Sequence, residues 1–187
     1  HGDHGPIWVS DYPDRHPLCE SFIQAASEIG IPLNSDFNGA SQEGAGYYQI
    51  TTKNGLRCDT RTAYLAKAQV RKNLTVRPMT SVTEILIHEG RATGVRSFSN
   101  GREQTIKVGC ELIICAGAVN SPLLLQASGI GDATQLARLG IKCHLHSPGV
   151  GKNLQDHLQC QIAYESKIPI TINDDYRRLH RLIGMVL

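Results

Sequence analysis

Apolar and polar positions change rhythm several times along the chain. After Pro17, the residues Leu18, Phe22, Ala25, Ala26 and Ile29 recur at steps of three and four, the period of a helix with one apolar face. Pro17 suits the first turn of that helix, Gly30 a left-handed stop, and Pro32 a barrier to continuation. Residues 1–16, rich in Gly, Pro, Asp and His, read as loop around a short strand from Pro6 to Ser10. Residues 33–57 carry mainly Asn, Asp, Gly, Ser and Gln, with Tyr47, Tyr48 and Ile50 as anchors. An irregular stretch of that length in a compact domain tends to be functional or interfacial. A short helix over 60–70 follows.

From Leu74 the period shortens to two. Leu74 to Arg77, Val82 to Ile87, Thr93 to Phe98 and Gln104 to Val108 read as strands. Glu89-Gly90 and Asn100-Gly101 stand between the last three, and Asn-Gly is a strong hairpin signal, so a small antiparallel meander is expected. Leu112-Ile113-Ile114-Cys115-Ala116 is then apolar without alternation, the pattern of a parallel strand covered on both faces. Gly117-Ala118 turns the chain, and Ser121-Pro122 reads as a cap and first helical position for a helix ending at Ser128-Gly129. Asp132 is placed to cap a further short helix that stops at Gly140. Residues 141–146 are strand-like, Pro148 to Gly151 a turn, and Gln159 to Glu165 alternates like a strand. The expected class is α/β, mixed with antiparallel elements.

Composition narrows the function classes. With 41% hydrophobic and 19% charged residues the 187-residue chain has the make-up of an ordinary globular protein, one domain or parts of two. No apolar run approaches the ~18 residues that span a bilayer. The net charge of +2 comes from interspersed charges, with no basic stripe for nucleic acid. Six cysteines are widely spread, without a Cys-x-x-Cys pair, which favours a reduced, intracellular protein. Neither terminus carries a natural start or stop signal, so both ends read as cuts in a longer protein; the last residues, Leu182 to Leu187, end in mid-apolar pattern.

The chemistry concentrates between Leu112 and Gly131. A strand that hands a glycine turn to a helix start leaves unpaired N–H groups and the helix dipole facing outward. Ala116, Gly117 and Ala118 lack bulky side chains, so a flat or phosphorylated ligand could approach the main chain. A tight connection without any ligand gives the same local pattern, and on that pattern alone both readings stand. His144 and His146 lie two apart on one strand face, with His1 and His4 as conceivable partners, but no third ligand stands at a metal-site spacing. No serine sits in a Gly-x-Ser-x-Gly elbow.

The run from Gly117 to Gly131, Gly-Ala-Val-Asn-Ser-Pro-Leu-Leu-Leu-Gln-Ala-Ser-Gly-Ile-Gly, resembles the second signature of the glucose–methanol–choline (GMC) oxidoreductases. Asp36 to Gly39, Gln42 to Gly44, Tyr48-Gln49, Gly55 to Cys58, Ala63 to Leu65, Asn73-Leu74, Pro148 to Gly151 and Asn153 to His157 extend the likeness, in the choline and aliphatic alcohol dehydrogenase branch, over all but the last part of the chain. The resemblance implies part of a doubly wound FAD-binding domain, at 58–157, interleaved with a sheet-based substrate domain at 1–57 and 158–187. It implies oxidation of a primary alcohol by hydride transfer to FAD, with the small-molecule alcohol and the remaining N- and C-terminal parts of the protein as partners. The location expected from the cysteine pattern is cytoplasmic, with membrane association open for the full-length protein.

Val82 matches a position whose main chain meets the adenine of FAD, and Ala116 and Gly117 match flavin-side neighbours. Two family features are absent: a Gly-x-Gly-x-x-G pyrophosphate turn, and a histidine in a His-Pro-x-Gly context, since His16-Pro17 is followed by Leu18. No catalytic residue is therefore expected within the chain, and turnover is not expected of it alone. His157 reads as a linker residue, and Asp59 replaces a serine common at that position. A non-enzymatic α/β binding module is the competing class; it would have natural termini and a self-contained core.

Overall fold

The computed structural model describes residues 2, 4–13 and 15–176, and the chain divides into two compact units, 1–75 with 162–187 and 76–161. In the first, α1 (Pro17–Glu28) forms where the periodicity placed it. Pro17 opens the helix, the Nδ1 of His16 accepts from the Leu18 N–H at 3.2 Å, and Gly30 with φ +90° closes it. Only Ala26 on its apolar face is buried; Phe22 is 69% and Ile29 78% exposed. The expected strand at Pro6–Ser10 is a single antiparallel bridge, Ser10 to Ile50. Inside the stretch read as irregular, β1 (Thr52–Lys53) and β2 (Leu56–Arg57) pair antiparallel across Asn54-Gly55, both with positive φ.

A π-helical turn at Arg61–Leu65 leads into α2 (Ala66–Ala68). Asp59 starts it: its Oδ1 accepts from the Thr62 N–H at 2.7 Å while its carbonyl accepts from Ala63 at 2.8 Å. That is the work of an N-cap, which serine performs equally, so the replacement noted at this position is a change between two good caps. The thiol of Cys58 is buried and receives the Trp8 N–H at 3.3 Å. Near the C-terminal end of the described residues, α5 spans Ile172–Tyr176; the apolar run at 182–187 lies outside them.

The second unit is built on the expected meander: β3 (Ser81–His88), β4 (Arg91–Ser99) and β5 (Arg102–Lys107), antiparallel in sequence order. Glu89-Gly90 and Asn100-Gly101 all have positive φ, the geometry that matches a hairpin turn to strand twist. Ile85 and Val95, opposite each other in register, are buried on one face. On the other, Arg96 pairs with Glu84 on β3 at 2.7 Å and Glu103 on β5 at 2.8 Å. Register slips at Thr83 and Thr93, and each hydroxyl donates across the ladder, Thr83 to the Arg96 carbonyl and Thr93 to that of Leu86.

α3 (Gly117–Ala127) docks its C-terminal end on β3 through Ser128, whose Oγ accepts the Ile85 N–H at 2.8 Å and donates to the Leu124 carbonyl at 2.6 Å. β6 (Ile130–Gly131), α4 (Ala133–Arg138) and β7 (Leu145–His146) then make a short parallel crossover. Asp132 caps α4 as expected, with Oδ1 3.0 Å from the Gln135 nitrogen.

Besides Pro6–Ser10, three expected strands do not form. Residues 74–77 are irregular, 112–116 pair with no other strand, and 159–165 carry no ladder. Along 112–115 burial alternates, with Leu112 and Ile114 half-covered and Ile113 73% exposed, so only one face is covered, not two. The reason is common to all three. An apolar or alternating run becomes a strand only when another main chain satisfies its edge groups, and among the described residues none does. The helix expected to open at Pro122 instead opens at Gly117, leaving the proline one and a half turns inside.

Candidate functional site

All three residues singled out for cofactor contact lie in the second unit. Gly117 sits at the head of α3 with φ +86°, a conformation that an L side chain adopts only under strain. No atom lies within 4 Å of where its Cβ would stand, so the glycine serves the bend and leaves open space before it. Ala116 precedes it, exposed, and its N–H is already given to the Ser121 hydroxyl at 3.0 Å. Ser121 is thus not the cap that opens the helix; it reaches back to steady the bend. Ala116 therefore offers carbonyl and methyl, not its N–H, to anything bound. The next N–H groups have no intrahelical acceptor by construction.

Val82 lies on β3, 42% exposed, opposite Ser97 and immediately before the slip at Thr83. β3 is an edge strand, with β4 on one side only, so the main-chain groups of its outer edge have no strand partner among the described residues.

Beside the bend, a groove of about 540 Å³ runs between α3 and residues 151–155. Ala118, Pro122 and Gln126 line it from the helix, and Gly151, Asn153 and Gln155 from the other side. Asn153 holds a positive φ of 58°, Gly151 one of 78°. Sequence reading took 148–151 as a turn but missed that it folds against α3. The only local signal was the glycine pair at 149 and 151, which by itself says nothing about a partner. In the first unit, a more apolar cavity of about 720 Å³ is lined by Tyr12, Cys19, Tyr47, Tyr48 and Ile50, with Tyr12 and Tyr47 stacked at 6.3 Å. Burial, and then the neighbouring Glu20 carboxylate, push the Tyr47 phenol above its ordinary pKa.

Two of the described histidines have capping places. His16 caps α1. His146 accepts the Ala133 N–H on its Nδ1 at 3.1 Å, at the start of α4. His157 is exposed in an irregular segment, its main-chain N–H turned to the Asp156 carboxylate at 2.8 Å. Among the described residues no group of three or more His, Cys, Asp or Glu side chains could hold a metal; His1 lies outside them. No helix among them is long and apolar enough to cross a membrane.

Comparison with known proteins bears on this geometry. The GMC oxidoreductase family profile matches residues 4–159. The oxygen-dependent choline dehydrogenase of Staphylococcus haemolyticus (strain JCSC1435) is 44% identical over 171 residues, which cover 91% of this chain and 30% of that protein. The mitochondrial choline dehydrogenase of Mus musculus is 40% identical over 185 residues, 98% of this chain and 31% of its own. The alcohol dehydrogenase [acceptor] of Pseudomonas putida is 42% identical over 176 residues, 92% of this chain and 32% of its own. Among solved structures, pyridoxine 4-oxidase from Mesorbium loti superposes with a TM-score of 0.79 at 30% identity, over 84% of this chain and 31% of that one. An FAD-dependent oxidoreductase from Chaetomium thermophilum gives 0.79 at 29% identity, over 83% and 27%. The chain thus spans about 30% of the length of the curated relatives it matches.

Proposed function

Because the chain belongs to the GMC oxidoreductase family, we propose that it forms part of an FAD-dependent dehydrogenase that oxidises a primary alcohol of the choline or aliphatic type. The observation that carries this is the family match through the whole of the second unit's bend and helix, together with the open, positive-φ main chain at Gly117. A flat dinucleotide needs main chain free of side-chain bulk, and this bend supplies it. FAD, when bound, supplies the hydride acceptor.

This chain's own part is to bind and orient. Gly117 and Ala116 offer uncluttered main chain beside the flavin, and the exposed edge of β3 at Val82 meets the adenine. No residue of the chain is assigned the proton transfer. Its only His-Pro pair is spent on capping α1. Residues 58–157 belong on this reading to the FAD-binding domain, and 1–57 with 158–187 to the substrate domain. The sharing of one compact unit by the two ends of the chain supports that interleaving, although the unit boundaries fall at 75/76 and 161/162. Six free cysteines favour the intracellular placement.

The names of the relatives favour an enzyme over a non-catalytic binding module, and the uncovered faces of α1 and of 112–115 support a chain that packs against more protein. The test is direct: the full-length protein is purified, its visible spectrum recorded, and choline and aliphatic alcohols are offered with oxygen and quinone acceptors. Flavin absorbance bleached by one of these alcohols is the expected result. A colourless protein that no added FAD turns yellow would end the proposal.

A further inference from the structure

The groove beside the bend has one wall whose position depends on a single side chain. Gln126, on the last turn of α3, extends its Nε2–H to the Val150 carbonyl at 3.1 Å. Its stem crosses two glycines: a Cβ at Gly131 would stand 3.3 Å from its Cγ, and a Cβ at Gly151 would stand 2.6 Å from its Nε2 and 3.2 Å from its Cδ. Gly151 is thus required twice, by its φ of +78° and by the amide lying over it. The turn it belongs to is tied at its entry by the Ser147 N–H to the Gly131 carbonyl at 2.8 Å, and beyond that point has few other holds. Val150 donates to Ser147 and Lys152 to Gly149, both at 3.1 Å and both within the turn itself. The ion pair of Lys152 with Asp132 is 3.9 Å long with an exposed lysine, and contributes little.

We infer that Gln126 is a positioning residue: its hydrogen bond to Val150 and its contact with Gly151 fix the 148–153 turn against α3, and so hold the wall of the groove at the width that a cofactor at the Gly117 bend requires. This deepens the proposed function and rests on it. A hydrogen bond from a half-buried amide is modest in energy, yet here it joins two segments that no strand ladder ties together at that point. Losing it lets the turn move as a unit while the meander and the Ser128 anchor stay in place.

The experiment uses the full-length protein with FAD bound. Gln126→Met keeps the length and the packing over Gly131 and removes the donor. Amide hydrogen exchange across 148–153 is expected to quicken by about three- to tenfold, the loss appropriate to one hydrogen bond, with β3–β5 unchanged. Flavin release, followed by fluorescence, should quicken in parallel, and the visible circular dichroism of the bound flavin should shift. Gly151→Ala should reproduce both effects by pushing the amide aside. In a Gln126→Ala background the same glycine change should add only the effect of its backbone strain. Exchange that stays at the wild-type rate in Gln126→Met overturns the inference. So does faster exchange with unaltered flavin release and spectrum, which would make the contact structural alone. A wild-type protein that takes up no FAD would sink the functional reading and the cofactor role together, while the exchange data would still decide whether Gln126 holds the turn.

Discussion

At the residue scale, the same amino acid does unequal work depending on what surrounds it. Gly117 and Gly129 both have positive φ, +86° and +80°, yet a Cβ at the first would meet nothing, whereas at the second it would collide with the Lys142 main-chain oxygen and stand 2.8 Å from the His144 ring. Gly117→Ala should therefore cost only conformational strain, about 1–2 kcal/mol. Gly129→Ala should cost that and an overpacking penalty of about 1–3 kcal/mol more; urea unfolding of the two variants compares them directly. Asp59 gives a pH signature. The Thr62 N–H, first, and then the Thr62 side chain hold its carboxyl below the usual carboxylate pKa. The unfolded chain then binds the proton more readily than the folded one, so stability rises with pH across that window. The contribution is full above the ordinary aspartate value, near ~3.9, and disappears as pH falls through the lowered folded value. Thermal melts of Asp59→Ala should lie below wild type at neutral pH and converge with it in acid; curves that stay parallel would show that the carboxylate is not the cap's active form.

At the element scale, what joins two elements matters more than what decorates one. Ser128 is buried and serves α3 and β3 at once. Ser128→Ala strands the buried Ile85 N–H without an acceptor, and we expect a loss of about 1–3 kcal/mol. Arg96→Met on the exposed face of the meander removes two ion pairs but should cost no more than about 1 kcal/mol. The ordering of these two variants in denaturant titrations is the check. The elements themselves were legible to different degrees. The hairpins expected at Glu89-Gly90 and Asn100-Gly101 formed, and Asn54-Gly55 makes a third between strands of only two residues, whereas Asn38-Gly39 and Glu43-Gly44, with no flanking strands, make none. The helix start at Pro17 and the caps at Gly30, Asp132 and Gly140 were readable because capping is settled within a few residues of sequence. The strand at 112–116 was not, because alternation of burial there depends on which neighbours arrive.

At the scale of the whole molecule, each unit covers little apolar surface of its own. Buried apolar side chains among the described residues are confined to Ala26, Cys58, Ala63, Ile85, Val95 and Leu136. Large apolar faces left in water bind hydrophobic dyes and leave a dinucleotide little to close upon. The 187-residue chain on its own should thus enhance the fluorescence of such a dye, show no turnover with choline or aliphatic alcohols, and bind FAD weakly or not at all. Fluorescence titration with FAD is decisive: micromolar affinity would contradict the view that the site needs more protein than this chain supplies.

Sequence alone determined what is local. It set the helix at 17–28, the meander and its turns, the caps, and the family, whose signature from Gly117 to Gly131 is a contiguous run. Tertiary structure decided what depends on partners. It moved the start of α3 back to Gly117, laid Gln126 over Gly151, and left 112–116 unpaired. The physical reason is one of range: φ preference and capping are settled by immediate neighbours, while a β ladder, a groove wall or a covered face exists only when a distant segment comes to meet it.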